Sequence, residues 1–427
     1  MRIATWNIEW FTNLFDDKDR LLLDDGWSAR RDITRRQQLE SIAIVLTAMN
    51  TDAIMVIEAP DQNGHRNTVN ALENFARHFE LRTHKAIMGF TNDTQQEIAL
   101  LYDPDALTVR HDPRGQPTGK KGKNETPRFD GVFRIDLDFD ATEDLVSFSK
   151  PPLELACETA RGVKFQMIGA HLKSKAPHGA RNHDEVMRLS ITNRRKQLAQ
   201  AIWLRARIEQ LLEENHSLIV LGDLNDGPGL DEYEGLFGRS SVEIILGEDG
   251  PLGLYDPHAR EAVQRRLGAN PTTARFYIPE QERYLQALLD YIMVSEDLAA
   301  KHPKWRIWHP FDEPTCWKAP ELRDALISAS DHFPVTLDID LSPQIFRLSA
   351  YLFPMKSPRT LLLALPFAAS VAASPVASES TPEEGLSLME RGARIFFEGL
   401  MKEFEPAMED LEGAIREMQP KLREFVD

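Results

Sequence analysis

The chain has 427 residues and a formal net charge of −17, and its hydrophobic and charged fractions, 42% and 27%, are those of a folded globular protein. The acidic balance argues against a broad basic surface that binds nucleic acid non-specifically, although a local basic rim and a bound cation would still permit a nucleic-acid substrate. Two distant cysteines, Cys157 and Cys316, provide neither a disulfide framework nor a zinc site, so we expect reduced thiols.

Strands and helices alternate along most of the chain. Residues 1–10 predict a strand, residues 35–49 a helix, and the apolar run AIMVIE at 53–58 a buried strand that ends in an acid. Helices are also predicted at 67–78 and 183–213. The other predicted strands are 83–88, 97–102, 131–138, 152–157, 164–171, 218–222, 288–294 and 333–340. This alternation predicts an α/β fold in which helices cover the sheets.

The composition changes after about residue 343, and we divide the chain there. Residues 344–384 contain a basic pair, a short apolar run, small residues and a linker, and the first part has the layout of a secretory signal peptide. The apolar stretch 361–376 is shorter than the roughly 20 residues of a membrane-spanning helix, and Pro366 interrupts it. One interpretation is a membrane-inserted or exported tail, and another is a second protein joined by fusion or read-through.

The last segment, residues 385–427, has apolar side chains at alternating steps of three and four, which predicts an amphipathic helix. Such a helix could self-associate or pack on another surface, and Pro406 and Pro420 should kink it. We expect the first domain, residues 1–343, to be cytoplasmic, because no signal peptide precedes its first strand.

Polar and ionisable residues repeatedly follow the predicted buried strands. The segments are Trp6-Asn7-Ile8-Glu9, Val56-Ile57-Glu58, Gly169-Ala170-His171-Leu172-Lys173-Ser174, Gly222-Asp223-Leu224-Asn225, Leu289-Asp290-Tyr291 and Ser330-Asp331-His332-Phe333-Pro334. Each segment alone is weak evidence, because a turn, or a surface or core histidine with its hydrogen bonds satisfied, is the more common explanation. Together they deliver Asn, Asp, Glu and His to strand ends, where ligands bind in α/β sheets.

These residue types suit hydrolysis of a phosphoester. Glu58 and Asp331 offer the hard oxygen ligands that Mg²⁺ or Mn²⁺ prefers. Asn7 can bind a metal ion through its carbonyl oxygen, or donate to phosphate, without adding negative charge. The predicted activity is therefore a metal-dependent phosphoesterase.

The remaining polar residues suit acid–base chemistry. Asp223 is a candidate base for the attacking water, and a histidine can donate a proton or bind the phosphate. A neighbouring carboxylate orients a histidine and raises its pKa, and we expect Asp290 to do this for His332.

The order of WN, E, GxHLxS, GDLN, LDY and SDHFPV resembles the endonuclease/exonuclease/phosphatase superfamily, the DNase I-like enzymes, over about residues 1–340. The resemblance implies a four-layer α/β sandwich, in which helices flank two mixed sheets that face each other. It also implies a site at one edge of the sheets and Mg²⁺-dependent cleavage of phosphoesters.

The resemblance also implies a role for each matching residue. It implies metal-binding roles for Asn7, Glu9, Glu58 and Asp331. It implies catalytic roles for His171 (leaving group), Asp223 and Asn225 (water and phosphate), and the pair Asp290 and His332 (phosphate). In one departure, Ile57 stands where the family commonly has Gln before the metal-binding glutamate, which puts a supporting hydrogen bond in question.

Less of the sequence bears on the substrate. The HLKSK segment resembles the nuclease-like branch, and the predicted substrate-binding residues are Lys173, Ser174, Arg181 and Arg194. The loop 110–128, rich in Gly, Pro and Lys, and the segment 181–196 could each form a basic rim or a solvated face. Three aromatic residues could stack on bases, although core packing or anchoring of a loop explains them better: Trp10, Phe11 and Trp27.

The leading hypothesis is a Mg²⁺-dependent nuclease that acts on DNA or RNA. A phosphatase or phosphodiesterase acting on a lipid headgroup, an inositol phosphate or a small nucleotide is the alternative, and the acidic composition mildly favours it. A non-catalytic binding scaffold is a hypothesis of another class. The complete set of site residues from Asn7 to His332 argues against a scaffold.

Overall fold

A computed structural model describes residues 1–135, 143–176, 179, 182–228, 238–264, 271–278 and 282–342. The predicted tail segments 344–384 and 385–427 therefore lie outside the described residues, as does Arg181. The predictions of self-association and of membrane insertion concern the tail and stay predictions. Within the described part of the chain, no helix is long and apolar enough to span a membrane.

The first sheet has six strands and is mixed. Its strands are β1 (Arg2–Asn7), β2 (Ala53–Ala59), β3 (Lys85–Met88), β4 (Glu97–Tyr102), β15 (Lys304–Ile307) and β16 (Val335–Asp338). They lie in the order β15–β16–β1–β2–β4–β3. The parallel pair β1 and β2 is central, so both strands are flanked on each side and buried almost throughout.

The second sheet also has six strands. Its strands are β5 (Leu107–His111), β8 (Leu153–Thr159), β9 (Lys164–His171), β10 (Leu218–Asp223), β11 (Leu254–Tyr255) and β14 (Asp290–Ser295). They lie in the order β11–β14–β10–β9–β8–β5, with β9 and β10 parallel at the centre. Two separate hairpins complete the described strands: β6 (Phe133–Ile135) with β7 (Asp144–Val146), and β12 (Ala274–Ile278) with β13 (Arg283–Ala287).

Helices cover the outer face of each sheet. Those on the first sheet are α1 (Arg35–Met49), α2 (Thr68–His78) and α8 (Pro320–Ala329). Those on the second sheet are α3 (His183–Glu213), α4 (Ser241–Leu246) and α5 (Pro257–Gln264). The short helices α6 (Glu296–Ala299) and α7 (Pro314–Lys318) and a 3₁₀ turn (Phe11–Leu14) lie at strand ends and in loops. The fold is thus the expected four-layer α/β sandwich.

The two sheets share an apolar core. Side chains from the first sheet, such as Met55 and Leu100, meet side chains from the second, such as Met167 and Ile219, with no exposure to solvent. A Cβ at Gly169 would overlap the Met55 side chain, so the small residue allows the sheets to approach closely at this point. Burial of this apolar area fixes the position of one sheet on the other.

Several predicted elements have the expected bounds. The helix at 35–49 and the strands at 97–102 and 164–171 are confirmed residue for residue, and the helix expected at about 183–213 is confirmed. The first helix begins where expected because the Thr34 side chain accepts from the Gln37 amide, and the Gln37 side chain accepts from Thr34, in a capping box.

Other predictions needed correction. The strand expected at 131–138 is limited, in its described part, to β6, and it pairs in a hairpin outside the two large sheets. The strand expected at 333–340 begins at Val335, because Pro334 has no amide to donate to a neighbouring strand. The loop expected at 110–128 begins inside β5, and the hairpin β12–β13 was not predicted at all.

Candidate active site

The predicted site residues meet at one edge of the sandwich. The parallel strands β1 and β2 end at or beside Asn7 and Glu58, and the parallel strands β9 and β10 end at His171 and Asp223. The antiparallel strand β14 begins at the same edge with Asp290, which pairs in register with Asp223. Parallel ends and antiparallel starts therefore deliver polar side chains to one place.

Asp223 is the centre of the site. Its Oδ1 accepts from the Asn225 amide at 2.8 Å, and its Oδ2 accepts from the side chains of Asn7 at 3.0 Å and Asn225 at 3.2 Å. Two histidine nitrogens also face Oδ2, Nε2 of His171 at 3.5 Å and Nε2 of His332 at 4.0 Å. Burial raises the pKa of Asp223 to about 6, although these donors oppose the shift.

The backbone around Asp223 explains the Gly-Asp-Leu-Asn sequence. Gly222 has a φ of +139°, and a Cβ there would overlap the carbonyl oxygen of Ala170 on the neighbouring strand. Asn225 has a φ of 51°, a left-handed conformation that asparagine tolerates better than most residues. Gly222 lets β10 lie close to its neighbour, and the left-handed conformation of Asn225 returns its side chain to Asp223.

His332 and Asp290 form a buried pair. The Nδ1 atom of His332 lies 2.7 Å from Oδ2 of Asp290, and the side chains are 6% and 0% exposed. Burial alone lowers the pKa of His332, but the charges of Asp290 and Asp223 outweigh it and raise that pKa well above its usual value. The Thr273 hydroxyl accepts from the Asp290 amide at 3.0 Å and holds the start of β14 in place.

Glu58 is aimed by an irregularity in its strand. It has a φ of 60°, and the register of β2 against β4 shifts between Ile57 and Ala59, as in a β-bulge. Gln96, the residue just before β4, donates to Glu58 at 2.7 Å. This bond takes the place of the supporting hydrogen bond that Ile57 cannot make. Burial raises the pKa of Glu58 to about 7, and Asp331 contributes to the increase.

Lys150 is a site residue that the sequence analysis missed. Its Nζ lies 3.4 Å from Nε2 of His171, and it is close enough to Glu58 and Asp223 for their charges to act on it. Burial lowers the pKa of Lys150, and burial together with Lys150 lowers the pKa of His171 well below its usual value. A usable signal existed, because Lys150 lies just before the two prolines that lead into β8, and the start of β8 lies near the His171 end of β9.

Glu9 lies beside the site with both carboxylate oxygens occupied. One accepts from Trp10 at 2.8 Å, and the other pairs with Arg30, which also donates to two carbonyl groups at the end of α8. Burial is the main cause that raises the pKa of Glu9 to about 7, and the charge of Asp331 adds to it. The charge of Arg30 acts in the opposite direction. These partners favour a positioning role for Glu9 over the predicted metal contact, which stays a prediction.

The Ser330 hydroxyl joins the first strand to the Asp331–His332 loop. It donates to the Asn7 carbonyl at 2.7 Å and accepts from the amides of Glu9 at 3.1 Å and His332 at 3.2 Å. Ser330 is fully buried, so these bonds are shielded from water. One hydroxyl thereby sets the distance between Asn7 and His332.

The predicted substrate-binding residues divide into two groups. Lys173 and Ser174 are half-buried on the segment that follows His171, and their contact with substrate stays a prediction. Arg194 is 1% exposed and pairs with the buried Asp226 at 3.3 Å, beside Lys175 at 2.5 Å. This burial contradicts a direct substrate contact for Arg194, because the guanidinium group is inside the protein.

The predicted aromatic and basic surfaces also divide. Trp10 and Trp27 are 43% and 70% exposed, but Phe11 is 1% exposed and belongs to the core beneath α1 and α2, as its alternative interpretation held. In the loop 110–128, the arginines pair locally with acids. The pairs are Arg110–Asp112, Arg114–Glu214 and Arg128–Asp130. That loop therefore offers less free positive charge than its composition suggested.

The donor set fits a divalent cation. Oδ1 of Asn7 is buried and has no hydrogen-bond partner among the described residues, so it is an acceptor that awaits a ligand. The Asn7 side chain also lies beside Glu58, since its Nδ2 is 3.5 Å from Oε1 of Glu58, and a cation bound nearby would lower the raised pKa of Glu58. A second set, Asp223, Asp290 and His332, brings ligand-type atoms within 4.8 Å of one another. Oδ2 of Asp290 pairs with Nδ1 of His332, whereas the buried Oδ1 of Asp290 has no hydrogen-bond partner among the described residues.

This fold and this collection of acids, amides and histidines define a phosphoester hydrolase. The chain belongs to the Endonuclease/Exonuclease/phosphatase family, whose sequence model matches residues 4–332. Among curated protein sequences, none matches this chain.

Solved structures show more distant similarity. A truncated TDP2 from Caenorhabditis elegans is 15% identical, with a TM-score of 0.40 over 79% of this chain and 96% of its own. The human Nocturnin catalytic domain with bound sulfate is 14% identical, with a TM-score of 0.40 over 80% and 94%. An endonuclease/exonuclease/phosphatase from Bacteroides vulgatus is 14% identical, with a TM-score of 0.40 over 80% and 98%. Similarity at this level carries no information about the substrate.

Proposed function

We propose that this protein is a Mg²⁺-dependent nuclease that hydrolyses phosphodiester bonds of DNA or RNA. The observation that carries the proposal is the convergence on Oδ2 of Asp223, which two amides and two histidine nitrogens face from different strands. A carboxylate so surrounded can accept a proton from water while its neighbours contact a phosphoryl group.

The metal end of the site would consist of Glu58, Asp331 and Asn7. Their oxygens are the hard ligands that Mg²⁺ prefers, and Asn7 contributes an unpaired acceptor without adding charge. When bound there, the ion would supply Lewis-acid neutralisation of the phosphoryl charge. Glu9 and Arg30 would hold the adjoining backbone rather than the ion.

Asp223 would act as the base for the attacking water. Asn7 and Asn225 hold its two oxygens, so the carboxylate keeps one orientation. Burial raises the pKa of this carboxylate, which makes it a stronger proton acceptor than an exposed aspartate. Asn225 also donates to the Leu172 carbonyl at 3.1 Å, which ties this group to the His171 segment.

The two histidines would serve different oxygens. His332 donates through Nδ1 to Asp290, so Nε2 is directed to the Asp223 side, where it would donate to a phosphoryl oxygen. His171 and Lys150 lie beside each other, and we assign both to the leaving oxygen. Burial disfavours a positive charge on each side chain, so each would be stabilised by the negative charge that develops on that oxygen.

A nucleic-acid substrate is favoured by the surroundings of the site. Trp10 and Trp27 expose large indole surfaces, and Lys173 follows the catalytic segment. Exposed aromatic rings and lysines are groups that contact bases and phosphates. The net charge of −17 favours the second candidate, hydrolysis of a lipid headgroup, an inositol phosphate or a small nucleotide.

Plasmid nicking and RNA degradation with Mg²⁺, with and without chelator, test the proposal. We expect cleavage that chelator abolishes, and a loss of orders of magnitude in Asp223→Asn, whereas Asp249→Asn, an equally conservative change at a side chain 85% exposed, should behave as wild type. No cleavage of nucleic acid, together with phosphate release from a small phosphoester, would replace the nuclease with the second candidate. No hydrolysis of any phosphoester would favour a scaffold.

A further inference from the structure

A hairpin that the catalytic residues do not use is attached directly to the active site. The β12–β13 hairpin forms a backbone bridge from Ala274 to His332, and the Arg275 amide donates to the Asp331 carbonyl at 2.7 Å. The Phe276 ring meets the His332 ring edge to face, with centroids 5.4 Å apart. The position of this hairpin is therefore fixed relative to the residues that would contact the scissile phosphate.

The opposite face of the hairpin is aromatic and cationic. Side chains alternate across a strand, so Arg275 and Tyr277 face away from the side that Phe276 occupies. Tyr277 pairs in register with Tyr284 on β13, and their rings lie 5.2 Å apart. The Arg275 guanidinium lies 3.5 Å from the centre of the Tyr284 ring, and that of Arg31 lies 3.9 Å from the Tyr277 ring.

The pattern continues beyond the hairpin onto the neighbouring loop and α7. Arg275 also faces the Phe311 ring at 5.3 Å, and Phe311 lies 6.3 Å from Trp317. Tyr284, Phe311 and Trp317 are 47%, 39% and 52% exposed. We call this surface the aromatic–arginine strip, and it consists of Arg31, Tyr277, Tyr284, Arg275, Phe311 and Trp317.

We propose that the aromatic–arginine strip binds an unpaired strand of nucleic acid that extends from the scissile phosphate. The inference rests on the proposed nuclease function and names the form of its substrate. Exposed rings spaced along a surface offer faces on which successive bases stack, and the arginines between them pair with the phosphates. Base pairs in a duplex are stacked on one another, so their faces would not be free for these rings.

The charge of the strip supports this partner over another. The net charge of the chain is −17, yet the strip contains two arginines that lie among aromatic rings. The exposed Asp32 is 3.5 Å from Arg31. An apolar protein partner would not require cations stacked on the exposed rings, whereas a polyanion with aromatic bases uses both. The binding should therefore weaken with salt.

The test is binding of a short, fluorescein-labelled single-stranded oligonucleotide to the full chain, followed by fluorescence anisotropy in the presence of chelator. Chelator stops hydrolysis, so this measurement is independent of whether the protein is a nuclease. We expect Tyr284→Leu and Trp317→Leu each to raise the Kd about tenfold, since each removes one stacking surface. A duplex of the same sequence should bind more weakly than the single strand.

The matched control is Arg260→Gln. The Arg260 guanidinium lies 4.8 Å from the centre of the Tyr255 ring, so the two form the same kind of cation–aromatic pair. Tyr255 is on β11, which pairs with the end of β14 remote from Asp290. The Kd of Arg260→Gln should be that of wild type. No single-strand binding by wild type, unchanged binding in both leucine variants, or an equal loss in Arg260→Gln overturns the inference, while the cleavage assays judge the nuclease function separately.

Discussion

The His332–Asp290 pair gives the most direct test of the site. Asp290→Asn preserves the size of the side chain and an oxygen at the same place, but removes the charge opposite His332. The two side chains are 0% and 6% exposed and 2.7 Å apart, so water would not compensate for the lost charge. Breaking a buried pair by removing one charge costs about 3–5 kcal/mol. If about 3 kcal/mol of this stabilisation acts on the transition state alone, its loss slows hydrolysis by about 150-fold.

The assay is kcat/KM for a chromogenic phosphodiester at saturating Mg²⁺, measured on protein whose thermal unfolding shows that it is folded. Asp249→Asn controls for the chemistry of the substitution, because its partner Arg260 and Asp249 itself are exposed, and such a pair contributes little. A folded Asp290→Asn protein with a rate within a few-fold of wild type would refute the role of the pair.

Three further predictions concern other buried charges. Lys150→Met should lower kcat about 100-fold because it removes the ammonium group beside His171, whereas Lys164→Met, at a lysine 79% exposed, should have no effect in the same assay. Asp226→Asn should lower the free energy of unfolding in urea by about 3 kcal/mol, because the buried Arg194 and the largely buried Lys175 each lose an ion pair; an unchanged midpoint would contradict this. Burial raises the pKa of Glu154 to about 7 from 4.5, so the folded state binds the extra proton, and this contribution to stability should be lost as pH rises from about 4.5 through 7. Glu154→Gln cannot ionise, so its urea midpoint should fall less than that of wild type over this window, and parallel pH profiles would disprove the assignment.

Much of the site could be predicted because strand ends are visible in a sequence. Apolar runs that stop at Asn7, Glu58, His171 and Asp223 indicate where buried strands reach an edge, and parallel strands bring such ends together. Whether two sheets bring their ends to the same edge depends on long-range packing, which periodicity does not encode. The resemblance to a known family supplied that information.

The residues that were missed, or given another role, have environments that only the folded chain creates. Lys150 precedes two prolines and has the sequence of an exposed loop, yet the antiparallel pairing of β8 with β9 buries it beside His171. Arg194 lies on the long helix α3 among other charged residues, and the acid that buries it, Asp226, is 32 positions away. In β12, Ala274 and Phe276 pack in a small core cluster and alternate with Arg275 and Tyr277, a pattern that is too short to stand out in the sequence.

The Asn7–Asp223 hydrogen bond has a consequence for when activity can begin. Asn7 belongs to the first strand of one sheet, and Asp223 belongs to the second sheet. The Trp6 side chain donates to the carbonyl of His332, which lies 326 positions later in the sequence. A chain emerging from the ribosome therefore has no assembled centre until its two halves have collapsed onto each other and β16 has inserted beside β1. We therefore expect hydrolysis to begin only once the whole catalytic domain has folded, because the residues of the centre come from both ends of that domain.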